Sequence, residues 1–231
     1  MRKLMAGLHQ FKTEIHANNE EFFDCLAKQQ APEALFITCS DARIDPNLLT
    51  QARPGELFIL RNAGNIVPPH GSHIGGEEAT IEFAILALGI KDIIVCGHYK
   101  CGAMTGLLNN DLIKDMPAVQ AWLSHATETK ELIQLNYKHL NEHSKLDIAV
   151  QENVLVQLEH LRTYPCVAKG LAEKKIAIHG WVYEIESGEV YIYESDYQQF
   201  LPLIYKDGHY HVDISSVTGM PIKAGSLTLT T

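Results

Sequence analysis

The sequence predicts an α/β fold: a mostly parallel central sheet flanked by helices, with an N-terminal helical arm and an antiparallel edge strand near the C-terminus. Three observations carry that expectation. Short apolar runs at 34–39 (ALFITC), 56–60 (ELFIL) and 92–96 (DIIVC) are separated by segments of loop or helical character. Strands that alternate with helices pair in parallel through right-handed crossovers, which places helices on both faces of the sheet. Finally, IAIHGWVYEI (176–185) and VYIYE (190–194) are joined by ESGE, too short for a crossover and therefore a turn between antiparallel strands.

The elements follow in order. Leu8, Phe11, Ile15, Phe22, Phe23 and Leu26 recur at roughly helical spacing, and Pro32 closes that arm before the first strand. Asp45 and Pro46 suit the N-cap and first position of a short helix. The 56–60 run is bounded by Gly55 and by Arg61-Asn62, and RNAGNIVPPHGSHIGG (61–76) is a loop by composition. EEATIEFAILALG suits a largely buried helix. The 92–96 strand leads directly into GHYKCG and a helical AMTGLL. From Met116 to Leu171 the patterns are helical: Pro117 opens one helix, and Ile148, Asn153, Val154, Leu158 and Leu161 mark the inner face of another that Pro165 interrupts. HYHVDI (209–214) alternates like an edge strand, whereas SVTGMPIKAGSLTLTT (216–231) carries no core pattern.

Composition narrows the function. The chain has 231 residues, 46% hydrophobic and 20% charged, which is ordinary for a globular protein. Its formal charge of -9, with basic residues scattered, argues against a nucleic-acid partner. No apolar run approaches the ~18 residues of a membrane span, and the first residues lack a signal peptide's apolar region, so a cytoplasmic protein without a membrane partner is expected. Five cysteines (25, 39, 96, 101, 166) are an odd set in a chain too large to need disulfides. They should be reduced, and some are expected to hold metal.

In an open parallel sheet, functional groups meet beyond the carboxyl ends of strands where neighbouring connections diverge. Cys39 ends the first strand; His98 and Cys101 follow the third. If those strands are neighbours the three side chains converge, and Cys-His-Cys is a ligand set for catalytic zinc with a fourth position open. Gly97 and Gly102 would let the His-x-x-Cys loop bend. Taken singly, each residue has a plainer reading: a strand-end Cys is a small buried hydrophobe, and Asp41 caps a turn. Two other classes compete. Cys39 and Cys101 as a redox pair lack the Cys-x-x-Cys spacing, and a phosphate cradle at 64–76 lacks the lysine-containing P-loop pattern.

Cys39-x-Asp41-x-Arg43 together with His98-x-x-Cys101 resembles the zinc signature of the β-class carbonic anhydrases. The resemblance runs through ELFILRNAGNIVPP, GGEEATIEFAILALGIKDIIVCGH, CGAMTGLL and HGWVYEIESGEV. IDPNLL, DMPAVQAWL and YEIESGEV are most similar to cyanobacterial members, including those housed in carboxysomes. It covers residues 4–195, so residues 1–195 read as one catalytic domain including the arm, and 196–231 as an extension.

What the resemblance implies is specific. Cys39, His98 and Cys101 would bind Zn2+, and the reaction would be reversible hydration of CO2 to bicarbonate and a proton. Zinc held this way lowers the pKa of a bound water toward ~7. Asp41 would orient that solvent, Arg43 would pair with Asp41 and hold it off the metal, and the Gly102 amide would assist. Gln30, Phe58 and Phe83 would form the substrate pocket, with Phe83 replacing a Tyr of several relatives. Family members are homodimers or larger, with the pocket at the subunit interface. A second family type lets the Asp bind zinc and stores bicarbonate with a Trp, an Arg and a Tyr. Arg61 and Tyr183 match two of these, but Phe36 stands at the Trp position, so the open type is expected. Hydrolases of carbonyl sulfide or carbon disulfide on the same scaffold are the alternative.

Other residues are expected to do less. His70 and His73 are candidate proton shuttles, Glu77 and Glu78 favour a helix N-terminus, and Cys25, Cys96 and Cys166 read as buried small residues. Residues 196–231 are a candidate for docking to a carboxysome shell or scaffold.

Overall fold

A computed structural model of the chain describes residues 1–72, 74–207 and 209–217; His73 and the segment from 218 onward lie outside the described residues. Strand β1 (Ala34–Cys39) is buried along its whole length, as a near-continuous apolar run in a doubly covered parallel sheet should be. It pairs in parallel with β2 (Leu57–Asn62) on one side and β3 (Asp92–His98) on the other. β3 pairs in parallel with β4 (Ala177–Tyr183). The sheet then turns antiparallel through β5 (Val190–Glu194), β6 (Gln199–Lys206) and β7 (His209–Val212), giving the order β2-β1-β3-β4-β5-β6-β7.

That order is what places a site. The chain leaves β1 toward β2 and leaves β3 toward β4, so the connections diverge between β1 and β3, where a crevice opens beyond the strand ends. Cys39 closes β1 and His98 closes β3.

Helices flank the sheet. The arm holds α1 (Arg2–Gln10), a π-helical turn (Phe11–His16) and α2 (Glu20–Lys28). Asp45 caps α3 (Pro46–Thr50), accepting from the Leu48 amide at 3.2 Å with Pro46 at the first position, as expected. α4 (Gly76–Leu86) and α5 (Gly102–Leu108) follow β2 and β3. α6 (Pro117–Leu123), α7 (Thr127–Asn136), α8 (Glu142–Arg162) and α9 (Pro165–Ala172) fill the long helical stretch. The main core joins Leu35, Ile37, Ile93 and Val95 to Val150, Val154, Leu158 and Leu161 of α8. Phe36, Ile44, Ile94 and Cys96 form a smaller core on the opposite face, under Trp181 and Tyr183.

Three expectations change. Gly97 lies within β3 and is needed for close approach, since a Cβ there would stand 2.9 Å from Val154 Cγ2 and 3.1 Å from Val150 Cγ1 on α8. The antiparallel region gains β6 between the two expected strands, β5 and β7. β6 carries Pro202, a residue type that argues against a strand. Here Pro202 lies opposite Tyr191, its carbonyl accepts from the Asp213 amide at 2.9 Å, and the neighbouring Leu201 is buried. Cys25 is exposed on α2, not buried. It shares that exposure with Leu4, Leu8, Phe11 and Ile15, an apolar arm surface that a single chain leaves uncovered.

Candidate metal centre

The divergence between β1 and β3 brings Cys39, His98 and Cys101 together, all three buried, with their ligand atoms within 4.8 Å of one another. The two sulfurs are 3.9 Å apart, well beyond a disulfide's bond length, so both are free thiols. His98 Nδ1 is 3.0 Å from the Tyr99 carbonyl. A carbonyl only accepts, so Nδ1 carries the proton and the Nε2 lone pair is left free. Nε2 is buried without a hydrogen-bond partner among the described residues. A buried polar atom left so carries a cost that a metal ion would remove. An imidazole with its outer nitrogen fixed by a carbonyl, facing two soft sulfurs, is a donor set suited to zinc.

The thiols differ. The hydrogen bond from Cys101 pulls the Cys39 thiol well down against its burial, helped by the Gly64 amide 3.4 Å from its sulfur. Cys101 is pushed up by the same shared bond and by burial, so Cys39 is the first thiolate of the pair. Cys96, fully buried one face away, is pushed up to about 12 by desolvation. It is an inert packing residue.

Asp41 and Arg43 form a forked pair at the rim. Arg43 Nε donates to Asp41 Oδ1 at 2.9 Å, its terminal nitrogen to Oδ2 at 2.7 Å, and its backbone amide also to Oδ1 at 2.9 Å. The same terminal nitrogen reaches the Lys100 carbonyl at 3.1 Å, tying the dyad to the loop that carries Cys101. Asp41 Oδ2 stands 3.7 Å from His98 Nε2, close to the cradle and outside hydrogen-bond reach. Hydrogen bonding to Arg43 holds the Asp41 carboxyl far below the usual carboxylate range. A depressed native pKa contributes stability in full above the unfolded value of about 4, lost as pH falls through the lower folded one. Because Arg43 is half exposed, solvent screens the pair and keeps that contribution small. Carboxylate NMR should show Asp41 still ionised as pH falls from 7 to about 4, while Arg43→Ala returns its titration to the ordinary range.

Arg61 locks the segment from behind. Its guanidinium donates to the carbonyls of Cys39 at 3.0 Å, Asp41 at 2.8 Å and Ile44 at 3.0 Å, fixing the turn that presents Cys39 and Asp41. Tyr183 packs near Phe36, and its carbonyl accepts from the Tyr99 amide.

Gly102 is the first residue of α5, and a Cβ there would meet nothing within 4 Å, leaving room beside Cys101. Phe58 and Phe83 come together with ring centroids 6.1 Å apart. Phe83 is half exposed, and Gln30 is exposed after α2. His70 Nε2 lies 3.0 Å from Glu78, so those two residues pair with each other.

Among its described residues, the 61–76 loop commits amides to the protein rather than leaving them for a phosphate. Its amides point inward: Gly64 to Cys39, Ile66 to Asn62 Oδ1 and Val67 to Gln157 Oε1. Sequence reading passed over this inner wiring. Gly64 carried a signal, since a glycine between Asn62 and Asn65 invites a positive φ, here +84°. Trp122 and Asn153, which bond the carbonyls of Ala63 and Gly64, gave none, because their partners lie far away in sequence.

Residues 34–190 match the family model described as carbonic anhydrase. The chain is 53% identical over 191 residues to a carbonic anhydrase of Synechococcus elongatus, covering 82% of this chain and 70% of the relative. It is 42% identical over 224 residues to one from Pseudomonas aeruginosa, covering 97% and 99%. Among solved structures it resembles the β-carbonic anhydrase CcaA, with TM-score 0.86 at 45% identity over 87% of this chain and 98% of that one. A tetrameric β-carbonic anhydrase from Sordaria macrospora gives TM-score 0.76 at 28% identity, over 83% and 95%.

Proposed function

The chain belongs to the carbonic anhydrase family, as a lyase of the β class with cyanobacterial-like relatives, and on that premise we propose that it catalyses the zinc-dependent, reversible hydration of CO2 to bicarbonate and a proton. One observation carries the reading: the buried His98 Nε2, without a hydrogen-bond partner among the described residues, lies with two thiols within 4.8 Å. Cys39, His98 and Cys101 would hold Zn2+, which when bound lowers the pKa of water toward ~7 and so supplies a nucleophile at cellular pH.

The protein's own groups do the rest. Asp41, kept ionised by Arg43, accepts a hydrogen bond from the reacting water and fixes which lone pair faces the substrate. Arg43 occupies both Asp41 oxygens and so keeps the carboxylate off the fourth metal position, which favours the open type of site. The engagement of Arg61 with three carbonyls and the burial of Phe36 favour the same choice. Gly102, with open space beside Cys101, would supply its amide to the reacting centre.

Gln30, Phe58 and Phe83 form the pocket for an uncharged, linear substrate, and a second subunit completes it. Support comes from the exposure of Gln30, Phe83 and the apolar arm in the single chain. We therefore read the unit as a homodimer or a larger assembly. Residues 1–195 are its catalytic part, and the extension from 196 is carried on the same sheet by β6 and β7. No helix among the described residues is long and apolar enough to cross a membrane. We place the enzyme in the cytoplasm, with the extension as a candidate for docking to a carboxysome shell or scaffold.

Stopped-flow CO2 hydration beside a sulfide-release assay with carbonyl sulfide tests the assignment. Zinc-replete protein should hydrate CO2 rapidly and release little sulfide; the reverse pattern would sink it.

A further inference from the structure

We propose that Trp122 is a positioning residue for the metal centre, acting through the Ala63–Gly64 peptide on the sulfur of Cys39. The inference rests on the metal reading above. One peptide group carries both contacts. Its carbonyl, on Ala63, accepts from Trp122 Nε1 at 2.8 Å, and its amide, on Gly64, points at Cys39 Sγ 3.4 Å away. Hydrogen bonds in series polarise one another, so a donor on the carbonyl strengthens the amide as a donor to sulfur.

The peptide has little freedom to do anything else. Gly64 sits at φ +84°, and a Cβ there would come within 3.1 Å of both Ala103 Cβ and Met104 Cε, beside the helix that follows Cys101. The next carbonyl, that of Gly64, accepts from Asn153 Nδ2 at 2.9 Å. Asn153 is held in turn by Gln157 Nε2 at 3.0 Å, while Gln157 Oε1 accepts from the Val67 amide at 2.8 Å. Trp122 and Asn153 therefore bracket the Gly64 amide from α6 and α8, two elements that contribute no metal ligand. Hydrogen bonds to a ligating sulfur withdraw electron density from it and so tune the metal it binds.

The test uses the full chain with Trp122→Phe, and a second chain with benzothienylalanine at 122, in which sulfur replaces the indole N–H and little else changes. Two readouts are followed: exchange of the Gly64 amide in metal-free protein, and the sulfur-to-metal charge-transfer band after loading with Co2+. Loss of one neutral hydrogen bond predicts Gly64 exchange faster by roughly five- to tenfold in both chains. The band should move to lower energy, because the sulfur becomes the better electron donor. Lower thermal stability with exchange and band unchanged would overturn the inference, leaving Trp122 a packing residue. Failure of the parent chain to take up Co2+ would overturn the metal reading instead, and the Gly64 exchange rates would still decide this one.

Discussion

Cys39→Ala should lose more than about a hundredfold in zinc affinity and bring CO2 hydration down to the uncatalysed rate. Removing a partner that merely orients a ligand already costs about 10- to 100-fold, and Cys39 is proposed as a direct donor. It is also the more readily ionised thiol of the pair, so its loss leaves Cys101, whose thiol burial pushes up, to bind with His98 alone. The vacated volume is small and lies in the main core, so the fold should persist while metal content falls. Cys166→Ala, a half-buried residue outside the cradle, is the control and should keep its zinc. Metal analysis after dialysis, paired with stopped-flow hydration, reads both quantities on one preparation. Full zinc content in Cys39→Ala would reject the ligand set.

Arg43→Ala should keep its zinc and lose about a hundredfold in kcat/KM, the scale of a misplaced catalytic group. Arg43 supplies three hydrogen bonds to Asp41 and one to the Lys100 carbonyl. The backbone bond would survive the substitution; the two from the guanidinium would not. Asp41 Oδ2 already stands 3.7 Å from His98 Nε2, so a released carboxylate has a short path into the fourth position. Arg43→Lys should recover little, since a single ammonium cannot hold both carboxylate oxygens in the fork. Asp41→Asn should also lose activity, but without the competing anion. Stopped-flow kinetics with zinc content measured alongside separates these outcomes, and wild-type kcat/KM in Arg43→Ala would reject the dyad's role.

Much of this site was legible in the sequence because its chemistry is local. Cys39, Asp41 and Arg43 stand at alternate positions after an apolar run, and His98 and Cys101 follow another, so the rule for open sheets could bring them together. The alternation itself has a different cause from the one it suggests. Asp41 and Arg43 meet across a turn, with the Arg43 amide on the Asp41 side chain, and the chain does not continue extended. What stayed hidden is long-range. The Arg61 clamp spans about twenty residues and the Asn153–Gly64 bond nearly ninety. Neither partner marks the other by composition. β6 was hidden because a proline in a run argues against a strand, and only the neighbouring β5 and β7 reveal how Pro202 is accommodated. The exposure of Gln30, Phe83 and the arm is likewise a property of one chain taken alone, and sequence patterns carry no count of subunits.

X-ray absorption at the zinc edge of the full-length protein tests the central claim most directly, that Cys39, His98 and Cys101 hold one metal with a fourth position open to solvent. The expected result is one zinc per chain, with two sulfurs at about 2.3 Å and two lighter atoms at about 2.0–2.1 Å. A shell of four sulfurs, a shell with none, or full hydration activity in zinc-free protein would contradict it.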